Sequence, residues 1–268
     1  MSKSDFIKNK YSVSVLILLG LLLTDFLLHK GMGRVMLPDN FSEKITPYQL
    51  PVCGRDLVKK EKEWIKAVNT VARMQQLDAG TNGLECDVYF DSVKNCFEVY
   101  HDSSAPSSLK LDSLLVAYQT KQLTANIWFD FKNLGSTNAG SALKEMIRLK
   151  NSFQLDKKLI IESSAAAPLK AFCDSGFFTS YYVPFFNPYE IKEEVLMKNI
   201  DSIRQHISQY PASAISGYYF QYPLLKKIFP TYPILTWADQ PSASLIAYFF
   251  RQQLKNDDMI KVVLFPME

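Results

Sequence analysis

Two acidic residues stand two positions apart in the segment LECDV, which covers residues 84–88. Side chains along a β-strand alternate between its two faces, so Glu85 and Asp87 point to the same side if this segment is extended. Like charges held close together are costly unless a cation joins them. Carboxylate oxygens are the ligands that Mg²⁺ and Ca²⁺ prefer. The pair therefore indicates a site for one of these cations.

Two further segments carry polar residues of the same kind. In FDFK, residues 129–132, Asp130 and Lys132 share a side if the segment is extended, and this pair suits a metal together with an anionic substrate. His101 ends another short β-rich run, and histidine transfers protons near neutral pH. A solvated strand face, a plain ion pair and a structural histidine are the ordinary alternatives. Three such segments together favour a functional site.

These segments belong to an alternation of β-rich runs and helical stretches that begins near Trp64. The predicted helices include Ser141–Lys150, Ala166–Cys173, Lys192–Gln209 and Ser242–Leu254. The predicted strands are Trp64–Asn69, Gly83–Phe90, Ala125–Phe131, Lys158–Glu162, Thr179–Val183, Ala214–Tyr218, Pro233–Trp237 and Lys261–Phe265, with Cys96–His101 as an added hairpin strand. Eight βα units predict an α/β protein with a (β/α)8 TIM barrel over residues 61–268.

A doubly wound open sheet is the alternative fold. That fold usually has a glycine-rich phosphate-binding turn after its first strand, and this sequence has none there. In a barrel, functional residues lie at the C-terminal ends of the strands. The barrel therefore also predicts where the polar residues should meet.

The first 30 residues form a separate region. Lys3, Lys8 and Lys10 precede an apolar run from Tyr11 to Leu28. A helix of this length reaches about 27 Å, enough for a thin bilayer. We expect an uncleaved signal anchor or transmembrane helix with the barrel on the exported, periplasmic or extracellular side, and a cleaved signal peptide is the alternative. Residues 31–60 are expected to be a linker and an irregular segment that leads into the barrel.

Composition limits the remaining possibilities. The net charge of +3 gives no sign of the clustered basic face that nucleic-acid binding needs, so no nucleic-acid partner is expected. The four cysteines, Cys53, Cys86, Cys96 and Cys173, lack metal-type spacing. We expect free buried thiols, with one disulfide bridge as the alternative.

The order of these motifs resembles a known superfamily. An E-x-D pair, an H-D pair after it and a strand that ends in D-x-K are similar to the glycerophosphodiester phosphodiesterases, a group of PLC-like phosphodiesterase barrels, and to the venom-type sphingomyelinases D. The stretches WIKAVNT (64–70), ECDV (85–88) and FDFK (129–132) more closely resemble the menorin-like family. The resemblance runs from Trp64 to the last predicted strand.

The resemblance implies a role for each matching residue. Glu85, Asp87 and Asp130 would hold one divalent metal, Mg²⁺ or Ca²⁺. His101 would be one of two histidines that share acid and base catalysis, and Lys132 would bind a phosphate oxygen. Asn69 and Trp237 are expected to contact the substrate. Its class would be a small-molecule or lipid phosphodiester.

One position departs from the family pattern. The first family histidine lies at the end of the first strand, where this chain has Lys66. A lysine can hold a phosphate as a point charge, but it serves as a general base only when its pKa falls strongly. The metal ligands are therefore retained, and half of the proton-transfer machinery is replaced.

Three functions remain open at this point. The first is an active, metal-dependent phosphodiesterase that works near a membrane. The second is a barrel that binds a phosphorylated ligand without turnover, which the presence of Lys66 favours. The third is a purely structural barrel. The retained carboxylates argue against it, because charges that bind no ligand only cost stability.

Overall fold

The computed structural model describes residues 3–37, 41, 45–58, 61–238 and 244–267, with the backbone alone for residues 3–10. The chain forms two compact units. One consists of Met1–Asn40 together with Gln240–Asp257, and the other of Phe41–Asp239 together with Asp258–Glu268.

The larger unit contains a closed barrel of eight parallel strands, which confirms the predicted fold. Its first strand pairs with both the second and the last, so the sheet closes. An added strand pairs antiparallel with the second. The strands are β1 (Glu63–Ile65), β2 (Gly83–Asp91), the added β3 (Cys96–Val99), β4 (Asn126–Phe131), β5 (Leu159–Ser163), β6 (Phe178–Tyr182), β7 (Ala214–Tyr218), β8 (Ile234–Trp237) and β9 (Ile260–Phe265).

Helices occupy the connections between these strands and lie in both units. Those predicted from the sequence are present with ends shifted by a few residues, and Ser242 and Ala243 of the last predicted helix lie outside the described residues. The helices are α1 (Lys3–Leu28), α2 (Lys30–Met36), α3 (Val71–Gln76), α4 (Leu111–Thr120), α5 (Ala139–Ser152), α6 (Ala166–Asp174), α7 (Glu193–Gln209), α8 (Tyr222–Ile228) and α9 (Leu245–Asn256).

The barrel interior is built in two layers. The lower layer is apolar and includes Trp64, Trp128, Ile160 and Phe178, all nearly inaccessible to solvent. Two residues further along the strands, the inward side chains become polar. Since side chains alternate along a strand, Asp130 follows Trp128 on the same face. The apolar layer thus forms the floor of a polar cavity at the C-terminal ends of the strands.

The first strand is shorter than predicted. It ends at Ile65, and Ala67 has a left-handed backbone conformation with φ of 58°. The indole of Trp64 packs flat against Gly83 on the neighbouring strand, where an added Cβ would overlap the ring. Glycine at position 83 therefore allows the large side chain to fill the barrel between β1 and β2.

The prediction of four free thiols is wrong for one pair. Cys53 and Cys173 form a disulfide that joins residues 120 positions apart, whereas Cys86 and Cys96 are free and buried as predicted. Closing a loop of this length removes unfolded-chain entropy worth about 4–5 kcal/mol in the chain-entropy model. No local sequence pattern predicts a bond between two cysteines this far apart in the chain. The bridge fastens the segment before β1 to the end of α6.

The smaller unit consists of α1, α2 and α9. Within α1, Tyr11–Leu28 has a mean hydropathy of 2.1 and no buried residues. This segment is long and apolar enough to cross a membrane, and a signal sequence has the same length and composition. Helix α2 begins at Lys30 and extends into residues 31–60, which were expected to be a linker and an irregular segment, and it contacts α9. The backbone N–H of Gly33 donates to the carbonyl of His29, the residue between α1 and α2.

Candidate active site

The cavity at the C-terminal end of the barrel contains the three predicted metal-ligating carboxylates. Glu85 and Asp87 lie on β2, and Asp130 lies beside Asp87 in the parallel register of β2 and β4. One carboxylate oxygen from each residue lies within 4.8 Å of the others. Glu85 and Asp87 are buried, at 5% and 2% exposure. The structure therefore brings together residues that the sequence separates by 45 positions.

The loop after β1 holds two of these carboxylates in place. The left-handed conformation of Ala67 directs its N–H to Oε2 of Glu85, at 2.6 Å. Asn69 donates from Nδ2 to Oδ2 of Asp87 at 2.5 Å and accepts the N–H of Asp87 on Oδ1 at 2.9 Å. Both ends of the Asn69 amide are thus used to orient Asp87. This geometry suits a positioning role for Asn69, which was predicted to contact substrate.

Lys132 supplies a positive charge to the carboxylates. Its Nζ lies 2.7 Å from Oδ1 of Asp87 and also donates to Oδ2 of Asp130. Burial disfavours the charged form, but Asp130 and Asp87 outweigh it and raise the pKa of Lys132 above its ordinary value. Lys132 therefore stays protonated and bridges two strands. A cation in this position can also accept a phosphate oxygen as a ligand.

The remaining predicted residues lie on the wall of the same cavity, which has a volume of about 190 Å³. Lys66 is held by its backbone N–H, which donates to the carbonyl of Phe265 at 2.8 Å. His101 is exposed at the rim, just beyond β3. Trp237 ends β8 and packs edge-to-face on Trp128, with ring centroids 6.4 Å apart. Lys66, His101 and Trp237 thus reach one space from three different strand ends.

The sequence reasoning missed two wall residues, Glu162 and Tyr182. Glu162 is 2% exposed, lies beside Asp130 in the register of β4 and β5, and has an Oε2 with no hydrogen-bond partner among the described residues. Tyr182 stands edge-to-face against Trp237 at 5.2 Å. An acidic residue near the end of the apolar run LIIES was the available signal for Glu162.

The concentration of carboxylates shifts their pKa values. Burial, followed by the charge of Asp87, raises the pKa of Glu85 to about 8. Burial also raises the pKa of Asp130, although Lys132 opposes that shift. The pKa of Glu162 is raised well above its ordinary value by burial and then by Asp130. Burial is the largest cause of each shift, and the neighbouring carboxylates add to it.

The metal-free protein is expected to lose stability as the pH rises from 4.5 to about 8, the ordinary and the folded pKa of Glu85. The pKa of Glu85 goes from 4.5 in the ordinary, unfolded-like environment to about 8 in the fold, so the folded state binds its proton more tightly. The stabilisation from this proton is complete below the ordinary pKa of Glu85 and is lost as the pH rises to the folded pKa. Each tenfold change in proton affinity is worth roughly 1.4 kcal/mol. Urea unfolding at about pH 5 and about pH 9 measures the change. In Glu85→Gln, the loss of unfolding free energy between these two pH values should be smaller by at least about 1 kcal/mol. An equal loss in the variant and the wild type would contradict the raised pKa of Glu85.

A divalent cation fits this set of residues. The donors are carboxylate oxygens alone, which is the chemistry of Mg²⁺ and Ca²⁺ sites. The cavity holds four carboxyl groups, and the ammonium of Lys132 bridges only two of them, those of Asp87 and Asp130. One buried oxygen of Glu162 has no hydrogen-bond partner in the part of the chain that the structure describes. A bound cation would offset this negative charge. The acidic cluster by itself does not distinguish the two metals.

Comparisons with known proteins identify the fold. No protein-family model matches the sequence, and no curated protein matches it. A glycerophosphodiester phosphodiesterase from Parabacteroides distasonis has a similar structure, with a TM-score of 0.52, 12% identity and coverage of 77% of this chain and 94% of that one. An Oleispira antarctica phosphodiesterase, solved with the product sn-glycerol-3-phosphate, gives a TM-score of 0.54, 9% identity and coverage of 77% and 93%. At such low identity the likeness shows the fold alone, so this chain has the TIM-barrel fold that those phosphodiesterases also have.

Proposed function

We propose that the protein is a divalent-metal-dependent phosphodiesterase that acts on a glycerophosphodiester or a lipid headgroup. One observation carries the proposal. Three carboxylates from two neighbouring strands lie within 4.8 Å of one another at the functional end of the barrel. A lysine ammonium and a histidine lie in the same cavity. The shared fold of solved phosphodiesterases supports this function over a purely structural barrel.

The chain's own residues divide the work as follows. Glu85, Asp87 and Asp130 would hold Mg²⁺ or Ca²⁺, which supplies positive charge for the phosphate oxygens when it is bound. Lys132 offers its Nζ to a phosphate oxygen while Asp87 and Asp130 fix its position. His101 at the rim exchanges a proton with the attacking or leaving oxygen. The aromatic wall, which includes Trp237, limits the access of water.

Lys66 and Asn69 take supporting roles in this proposal. Lys66 lines the cavity and adds a second positive charge for the diester anion. Asn69 orients Asp87 through two hydrogen bonds. The replacement of a family histidine by Lys66 and the closer kinship with menorin-like proteins stay predictions from the sequence resemblance.

We also propose a place for the protein in the cell. The apolar helix Tyr11–Leu28 would anchor it in a membrane, and the barrel would lie on the exported side. The disulfide between Cys53 and Cys173 supports that side, because such bonds persist in oxidising compartments and are rare in the cytosol. Mass measurement of the mature N-terminus distinguishes an anchor from a cleaved signal peptide.

The proposed activity is tested with purified protein stripped by a chelator and then supplied with Mg²⁺ or Ca²⁺. We expect glycerophosphodiesters or lysophospholipids to be converted only when a metal is present, with no turnover of the monoester glycerol 3-phosphate. Phosphorus NMR separates a hydrolysed monoester product from a cyclic phosphate. Saturable binding of a diester with no product under either metal would instead identify a binding protein without turnover.

A further inference from the structure

The first turns of α9 present apolar side chains to the outside of the smaller unit. Leu245, Tyr248 and Phe249 are 52%, 54% and 54% exposed. Their spacing of three and four residues puts them on one face of the helix. The opposite face, with Ala247 and Phe250, is buried. This face of α9 is therefore an exposed apolar surface, here called the α9 patch, that consists of Leu245, Tyr248 and Phe249.

The patch is tied to one end of the apolar helix. The backbone N–H of Ile246 donates to Oδ2 of Asp25 at 3.1 Å, and Asp25 lies near the C-terminal end of the run Tyr11–Leu28. The carboxylate also pairs with Nδ1 of His29 at 2.9 Å. A carboxylate is costly at the centre of a bilayer, so Asp25 belongs at the level of the headgroups when α1 spans the membrane.

The composition of α9 changes along its length. The exposed residues of the first turns are apolar, whereas Lys255 and Asn256 at the other end are exposed and polar. Helices in the membrane interface bury leucine and phenylalanine side chains and keep basic residues in water, and in α9 these two kinds of residue lie at opposite ends. Tyrosine is enriched near the headgroups, where it can keep its hydroxyl hydrated. The apolar end of α9 is also the end that Asp25 holds.

We propose that the α9 patch inserts into the lipid interface as a second membrane contact beside α1. The occupant of the patch is the boundary between lipid headgroups and acyl chains, in the leaflet that holds the C-terminal end of α1. This inference rests on the proposed anchoring by α1. It adds a surface-bound helix whose first turns lie in lipid and whose last turn lies in water.

Site-directed fluorescence tests this contact in the full chain. The variants Phe249→Cys, Asn256→Cys and Leu18→Cys would each carry an environment-sensitive dye in vesicles of phosphatidylcholine and phosphatidylglycerol. Asn256 is the matched control because it is exposed on the same helix, and Leu18 reports insertion of α1 itself. The native cysteines give a low background, since Cys86 and Cys96 are buried and the other two are bonded to each other.

We expect the dye at position 249 to be blue-shifted and quenched by acyl-chain spin labels several-fold more than the dye at position 256. Strong quenching at position 18 with equal, weak quenching at 249 and 256 would overturn the α9 contact and leave the anchor intact. No lipid quenching at position 18 would overturn the anchor and the contact together. A blue shift at 249 without lipid quenching, accompanied by energy transfer between labelled copies, would assign the patch to a second copy and also overturn the proposal.

Discussion

Asp87→Asn and Asp130→Asn are each expected to abolish binding of Mg²⁺ or Ca²⁺ and to lower diesterase activity by roughly 10³-fold or more, since the lost charge stabilisation amounts to several kcal/mol. Each change removes one ligand of the proposed metal. It also removes one of the two carboxylates that hold the ammonium of Lys132. Titration calorimetry measures the metal, and the phosphorus assay measures turnover.

Asp91→Asn provides the matched control for this prediction. Asp91 ends the same strand, but its carboxylate binds the hairpin turn through the backbone of Val93 and Lys94. We expect this variant to bind metal and turn over substrate as the wild type does. Unchanged metal binding in both Asp87→Asn and Asp130→Asn would sink the proposed metal site.

The second large effect concerns proton transfer. His101→Ala is expected to eliminate measurable activity, and Lys66→His is expected to raise activity above a weak wild-type level. General acid–base partners each contribute about 10²–10⁴ in rate, so a chain with one histidine should be slow and a restored pair faster. Lys66 and His101 both line the cavity, so a histidine at position 66 would lie in the same cavity as His101. Steady-state kinetics over a range of pH would show a second ionisation only in Lys66→His.

Lys66→Arg separates the two possible roles of this lysine. Arginine keeps the positive charge and cannot act as a base in proteins, so a charge clamp should survive the change with activity within about tenfold of wild type. A fast wild type that Lys66→His and Lys66→Arg both slow would identify the lysine as a proton-transfer group. That outcome would overturn the charge-clamp assignment and leave the metal site untouched.

Local patterns predicted much of the fold. The β-rich runs from Gly83 to Phe265 became strands within one or two residues of their predicted ends, because alternation and length are properties of each segment alone. The first strand was predicted to reach Asn69 but stops at Ile65. A left-handed turn at Ala67 ends it, and alanine gives no sign of that conformation in sequence.

The clustering of carboxylates in the cavity was predictable to a similar extent and for the same reason. A spacing of two put Glu85 beside Asp87, and Asp130 beside Lys132, before any strand was placed. The position of Glu162 beside Asp130 depends on the register of β5 against β4, and no single segment of the sequence encodes that register. The loop between β1 and α3 directs the amide of Asn69 at Asp87, which no local pattern encodes, and its contact with substrate stays a prediction.

The sequence by itself therefore determined which residues share a strand face, the order of the barrel strands, and the apolar helix at the N-terminus. Only the tertiary structure decided which strand ends meet, because closure of the barrel joins residues as distant as Glu63 and Val263. It also decided that Cys53 pairs with Cys173, and that the first turn of α9 donates a backbone N–H to the carboxylate of Asp25 on α1. Short-range spacing fixes the direction of a side chain, whereas its partners depend on contacts that form when distant segments pack together.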